Sequence, residues 1–175
     1  GGYIGLEMGS VWSRLGSKVT VVEFLNKIVP NVDVEIGKQF QKNLEKQGIV
    51  FMLETKVVEV SVKDKKLEII AEQINGEDRE TIECDVVLIA AGRKPCTDSL
   101  GLDKVGVKRG ENGFIAVNEN FETSVPNIFA IGDCIPGPML AHKAEEDGVA
   151  TVEFIACGSA HVDYNLVPSI IYTHP

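Results

Sequence analysis

The sequence predicts an α/β fold, a parallel sheet followed by a β-meander, and three kinds of observation carry that prediction. Short runs rich in β-branched residues alternate with longer segments whose apolar residues recur at helical spacing. Glycines close several of these runs and punctuate the first helical segment. Mid-chain, consecutive strand-like runs are joined by short polar turns, with no helical segment between them.

Taken in order, Tyr3 to Leu15 reads as a helix with Ile4, Met8, Val11, Trp12 and Leu15 on its apolar face, stopped at Gly16. "KVTVVEF", Lys18 to Phe24, is short and β-branched, as a buried strand should be. A second helix is expected from Asp33 to Gln47, capped by Asp33, lined by Ile36, Phe40 and Leu44, and ended by Gly48. "TKVVEVSV" and "KLEIIAEQI" flank a polar turn at Lys63 to Lys66, and "NGED" precedes "RETIECD", which completes the meander. "VVLIAAG", Val86 to Gly92, reads as another fully buried strand. Beyond Arg93 the chain turns polar and glycine-rich as far as about Asn120. "IFAIGD", Ile128 to Asp133, is a further strand, Leu140 to Ala156 a helix, and "VPSIIYTHP" an extended segment.

Composition narrows the function. The 175 residues allow one or two domains, with 44% hydrophobic and 25% charged residues. A formal net charge of −9 argues against nucleic acid as a partner, because phosphate binding needs clustered Lys and Arg. No apolar run reaches membrane-spanning length, and no signal peptide is evident, so membrane insertion is not expected. The four cysteines, Cys84, Cys96, Cys134 and Cys157, lack metal-ligand spacing and read as reduced, mostly buried thiols; no metal site is expected.

The first residues, "GGYIGLEMGS", carry the clearest chemistry. In a dinucleotide-binding G-x-G-x-x-G turn, one glycine makes the turn, the next lets backbone approach a pyrophosphate, and the last packs helix against strand. Gly2 and Gly5 fit the second and third of these. The first would fall before Gly1, so the chain is expected to begin inside such a turn, without the preceding strand. Glu23, at the end of the next strand, is placed to accept hydrogen bonds from an adenosine ribose and to repel a 2′-phosphate, which favours NAD over NADP. The competing reading is a tight strand–helix turn without ligand and an ordinary exposed Glu. Gly92 and Asp133 close two predicted strands, where ligands of open α/β sheets bind, though either could equally be a turn residue.

"AIGDCIPGPMLAHKAEEDG" closely resembles the second FAD-binding motif of the pyridine nucleotide–disulfide oxidoreductases. "GYIGLEMGSVWSRLGSKVTVVEF", "AAGRKP", "PMLAHKAEEDG" and "VPSIIYTHP" together resemble, more narrowly, the branch that oxidises dihydrolipoamide with NAD, and the likeness covers essentially the whole chain. It implies a Rossmann-like NAD-binding domain over 1–118, the second segment of an FAD-binding domain over 119–165, and the start of an interface domain over 166–175. The cofactors implied are FAD and NAD. The family's first FAD glycine motif, redox cysteine pair and C-terminal His-x-His-Pro-Thr segment are not in this sequence. "THP" follows "VPSIIY" and so matches the start of the interface domain, and no catalytic residue is assigned.

The same resemblance assigns roles residue by residue. Gly2 and Gly5 would bind the NAD pyrophosphate and Glu23 the adenosine ribose. Val57 would lie against the adenine, Gly92 near the nicotinamide-side ribose, and Glu7 near the nicotinamide, although Glu7 could equally be a helix-dipole partner. Asp133 would bind the ribityl or phosphate part of FAD, while Met139, Leu140 and Ala141 border the flavin. His142 reads as a packing and hydrogen-bonding residue, and Arg14, Lys27 and the "EED" run as solvated surface. The implied partners are dihydrolipoamide on lipoyl domains of 2-oxo acid dehydrogenase or glycine cleavage complexes, and a second copy of the full-length protein in a homodimer. The implied compartment is the mitochondrial matrix in a eukaryote or the cytoplasm in a bacterium. Another disulfide reductase of the family, such as glutathione or mercuric reductase, and a non-catalytic dinucleotide-binding module are the alternatives.

Overall fold

Two short strands in parallel organise the first part of the fold in the computed structural model, which describes residues 1–76 and 78–174. Glu77 of the "NGED" turn and Pro175 of "VPSIIYTHP" lie outside the described residues. Helix α1 (Tyr3–Arg14) leads into β1 (Thr20–Val22), and α2 (Val34–Lys46) crosses over to β2 (Val50–Met52), which pairs with β1 in register Val21 to Phe51. This is the expected parallel βαβ unit, although β2 is not among the predicted strands and β1 is only half-buried, since it is paired on one side. Asp33 caps α2 as expected, its carboxylate accepting the Glu35 and Ile36 N–H groups at 2.9 and 3.2 Å, a contribution of about 1 kcal/mol.

The buried faces differ from those expected. On α1 the buried residues are Leu6, Gly9 and Ser10, while Ile4, Met8, Val11 and Leu15 are exposed. The helix packs through its small residues: a Cβ on Gly5 would stand 3.3 Å from the Ala90 Cβ, and one on Gly9 3.4 Å from Val19. Close approach selects the glycine stripe over the bulky one. On α2, Gly37 and Leu44 are buried and Phe40 half-buried, but Ile36 is exposed.

Strands β3 (Thr55–Lys63), β4 (Lys66–Gln73) and β5 (Arg79–Cys84) form the expected antiparallel meander, with Ile69 of β4 between Val60 and Ile82. The register shifts between Val57 and Glu59. Hydrogen bonds from Lys56 and Arg79 hold the half-buried Glu72 carboxyl below its usual range.

The other predicted strands are corrected. Val86 to Gly92 joins no ladder among the described residues, and Val86 and Ile89 are exposed. β-branched side chains favour extended backbone, but a strand needs a neighbour to bond. Ile128 to Asp133 makes a single bridge, Phe129 to Glu122, and then turns into a 3₁₀ turn at Gly132–Cys134.

The chain divides into two compact units, Gly1–Gly92 with the segment from Ile170 onward, and Arg93–Ser169. The first has a core of Leu6, Ile28, Val29, Leu44 and Ile49, against which Ile171 of the returning segment packs. The second contains α3 (Leu102–Val105) and α4 (Ala141–Cys157) around Val107, Ile115, Phe121, Ala130, Ile135 and Ala150. The four cysteines are unpaired, but Cys96 and Cys157 are exposed and the others half-buried, rather than mostly buried. Among the described residues no helix is long and apolar enough to cross a membrane.

Candidate functional site

In the first unit, Gly2 is the N-cap of α1, with extended backbone and no side-chain cap. Its carbonyl accepts the Leu6 N–H at 3.1 Å. A Cβ at Gly2 would meet nothing within 4 Å, so the space beside the turn is open to a ligand approaching the backbone. Helix N-termini carry N–H groups without intrahelical partners and a positive end, the combination that binds phosphate. The third glycine, Gly5, has the helix-packing role described above.

Glu23 follows the end of β1, where its N–H donates to the Met52 carbonyl at 2.9 Å. Its Oε1 accepts the Leu25 N–H at 2.8 Å, and its Oε2 lies 2.8 Å from the backbone nitrogen of Gly1. Partial burial works to raise its pKa. The Leu25 and Phe24 N–H groups oppose that, because hydrogen bonds to the anion favour it. Glu23 is therefore an anion beside the glycine turn, and a carboxylate has more acceptor positions than these bonds use. The Glu23 carbonyl accepts the Thr55 N–H at 3.0 Å, which sets the start of β3, with half-exposed Val57 two residues on, beside the end of β1.

Glu7, one turn into α1, accepts the Tyr172 N–H at 2.8 Å through Oε1. Gly92 is exposed, with open space where a side chain would project. The turn, Glu23 and the β3 start thus lie together, while Glu7 is engaged by the returning segment.

The second unit holds the other candidate residues. Asp133 Oδ2 accepts Nη1 of Arg93 at 3.1 Å, and Nη2 of Arg93 donates to the Met139 carbonyl. Arg93 thereby joins the turn bearing Asp133 to the segment bearing Met139. Its signal in the sequence is "AAGRKP", which carries Arg93 directly after Gly92. Together with Lys94, Cys96 and Cys134 these residues line an open cleft of about 400 Å³. Leu140 is the N-cap of α4, again without a side-chain cap, and Ala141 is its exposed first residue. The His142 ring bonds the Pro168 carbonyl at 2.9 Å, in keeping with a packing role.

The "EED" run is not uniformly solvated. Glu145 and Glu146 are exposed, but Asp147 is fully buried and paired with fully buried Lys143 at 2.6 Å. Helical periodicity explains the difference, since residues four apart share a face. Among the described residues no cluster of His, Cys, Asp and Glu could hold a metal ion.

Residues 1–148 match the family described as pyridine nucleotide-disulphide oxidoreductase. The chain is 60% identical over 174 residues to dihydrolipoyl dehydrogenase 2, mitochondrial, of Arabidopsis thaliana, covering 99% of this chain and 34% of that protein. It is 59% identical to the leghemoglobin reductase of Vigna unguiculata, with 99% of this chain and 33% of that protein covered. Among solved structures it is similar to the HOCl-induced flavoprotein disulfide reductase RclA from Escherichia coli, at TM-score 0.80 and 27% identity, covering 93% of this chain and 36% of that one. The chain spans about a third of the length of the curated relatives it matches.

Proposed function

This chain belongs to the pyridine nucleotide-disulphide oxidoreductase family, and on that premise we propose that it is the NAD platform and part of the flavin pocket of a longer flavoprotein that oxidises dihydrolipoamide groups. The observation that carries the reading is the juxtaposition of the open glycine turn at Gly1 and Gly2 with the Glu23 carboxylate. A turn that merely packed would have no need of open space at its glycine, nor of an acid beside it.

In this reading Gly2 and Gly5 take the NAD pyrophosphate, Glu23 the adenosine ribose, Val57 the adenine, and Gly92 and Glu7 the nicotinamide half. Asp133 takes the ribityl or phosphate part of FAD, and Met139, Leu140 and Ala141 border the flavin. When bound, the flavin supplies a two-electron relay between a dithiol–disulfide pair and nicotinamide. This chain's own residues bind and orient. The start of α4 presents the positive end of a helix, which stabilises negative charge placed there. Glu23 opposes a 2′-phosphate by charge.

The proposed domain limits are 1–118 for NAD, 119–165 for FAD and 166–175 for the interface. The proposed partners are lipoyl groups of 2-oxo acid dehydrogenase or glycine cleavage complexes and a second copy in a homodimer. The compartment follows the source, mitochondrial matrix or bacterial cytoplasm; the Arabidopsis relative is named as mitochondrial. Identity of 60% to a dihydrolipoyl dehydrogenase supports dihydrolipoamide as the substrate, and the leghemoglobin reductase stands beside it at 59%, whereas RclA stands at 27%.

The test is NADH formation from dihydrolipoamide. The full-length flavoprotein should turn over, and the isolated 175-residue chain should not, even with FAD and NAD supplied. Dithiol exchange needs an attacking thiolate near a second sulfur and a positioned base. Turnover by the isolated chain that is lost on replacing one of its cysteines would contradict the reading.

A further inference from the structure

We propose that the buried Lys143–Asp147 pair is a positioning clamp that fixes the Gly132–Asp133 turn against the first turns of α4. The proposal rests on the reading of Asp133 as a flavin ligand. Lys143 and Asp147 are fully buried one helical turn apart, with Nζ 2.6 Å from Oδ2. An ion pair in such a place is a weak source of stability, because removing both charges from water offsets their attraction and apolar residues would fill the same space as well.

What apolar residues could not do is bond a peptide. Lys143 Nζ donates to the Gly132 carbonyl at 3.2 Å, and the Gly132 N–H donates to Asp147 Oδ2 at 2.9 Å. Both polar groups of Gly132 are held by one pair of side chains. Gly132 has φ +69°, and a Cβ there would stand 3.0 Å from the Ala144 Cβ, so the turn needs glycine and sits tight on α4.

The pair is itself braced. The Tyr164 hydroxyl donates to Asp147 Oδ1 at 2.8 Å, the Lys143 ammonium lies 5.6 Å from the Tyr164 ring centroid, and the Thr151 hydroxyl donates to the Asp147 carbonyl at 2.7 Å. Asp133, the next residue along, is half-exposed and bonded from outside by Arg93, which also reaches the Met139 carbonyl. The elements carrying Asp133 and Met139–Ala141 are therefore locked together from both sides. Lys143, Asp147 and Tyr164 act as positioning residues, setting where the Asp133 carboxylate stands relative to the start of α4.

The experiment compares the full-length flavoprotein with its K143M/D147L and D133A variants, reading FAD affinity, thermal unfolding of the apoprotein and the visible circular dichroism of bound flavin. The apolar double variant keeps the volume and should fold, but it should unfold at a moderately lower temperature, because the Gly132 peptide and the Tyr164 hydroxyl lose their partners. Its FAD dissociation constant should rise about tenfold and its flavin dichroism should change, because a displaced anchor misplaces the ring. Unchanged affinity and dichroism in the double variant, with binding weakened in D133A, would overturn the clamp alone. Wild-type FAD binding by D133A would remove the role of Asp133 and the clamp with it. Should the double variant not fold, exchange of the Gly132 amide in the wild type decides. Protection like that of the Ala150 amide supports the clamp, and exchange as fast as the Asn112 amide overturns it.

Discussion

The backbone N–H of Tyr172 donates to the Glu7 carboxylate at 2.8 Å, across 165 positions of sequence. A second bond, from the Gln47 side-chain amide to the His174 carbonyl at 3.0 Å, and the packing of Ile171 against the core fasten the same segment. The carboxylate proposed to face the nicotinamide thus has a partner within its own unit. Replacing Glu7 with Ala should speed exchange of the Tyr172 amide about tenfold, as expected for losing a hydrogen bond to a charged group. Amides of β4 should be unaffected. An unchanged Tyr172 rate would show that the bond does not hold the segment.

Two glycines should respond in opposite ways to Ala. At Gly2 the new methyl would meet nothing and the backbone is ordinary extended, so thermal stability should hold while NAD affinity falls about tenfold through lost approach of the pyrophosphate to backbone. At Gly132 the positive φ and the 3.0 Å approach to Ala144 should cost about 1–3 kcal/mol of stability. Denaturant unfolding and a nucleotide titration separate the two effects. A Gly2→Ala variant that unfolds early would mean the turn is structural.

Glu23 should set cofactor choice. In the full-length flavoprotein, Glu23→Ala should lower kcat/KM for NADH about tenfold or more, the worth of hydrogen bonds to a charged acceptor, and narrow its preference over NADPH. A wild-type enzyme that uses NADPH as well as NADH would contradict the role given to this carboxylate.

Tyr164 is the basis of a pH prediction. Burial, the hydrogen bond to Asp147 and the Asp147 charge all raise its pKa well above the ordinary 10.0. Because the folded value is the higher one, the stability this phenol contributes is complete below pH 10 and is lost as pH climbs toward the raised value. The alkaline absorbance titration of the wild type minus that of Tyr164→Phe should show a phenol ionising above pH 10; a difference centred at pH 10 would mean Asp147 is not its partner.

The βαβ order, the meander, the Asp33 cap and the membership of a family were legible in the sequence, because periodicity, caps and turn residues are local signals. Of the buried face of α1, the packing role of Gly5 was legible in the glycine pattern, and the exposure of the bulky residues was not. Its bulky residues Ile4, Met8 and Val11 advertise an apolar stripe, yet Gly5 and Gly9 decide the packing because only they admit a close neighbour. Val86 to Gly92 has strand-forming side chains but bonds no neighbouring strand among the described residues, and no residue pattern reports that. Asp147 was hidden in a charged run, its burial set by a partner one turn away and by a distant turn at Gly132. Arg93 and Asp133 are separated by 40 positions and meet only in the fold.

NAD binding at the Gly2–Glu23 corner is the central claim. Backbone amide chemical shifts of the 175-residue chain, followed during separate titrations with NAD and NADP, test this most directly. NAD should bind weakly and move the amides of Gly2, Gly5, Glu23 and Leu25 first, with NADP producing smaller changes at the same concentrations. Shifts confined to residues away from this corner, or equal responses to NAD and NADP, would contradict it.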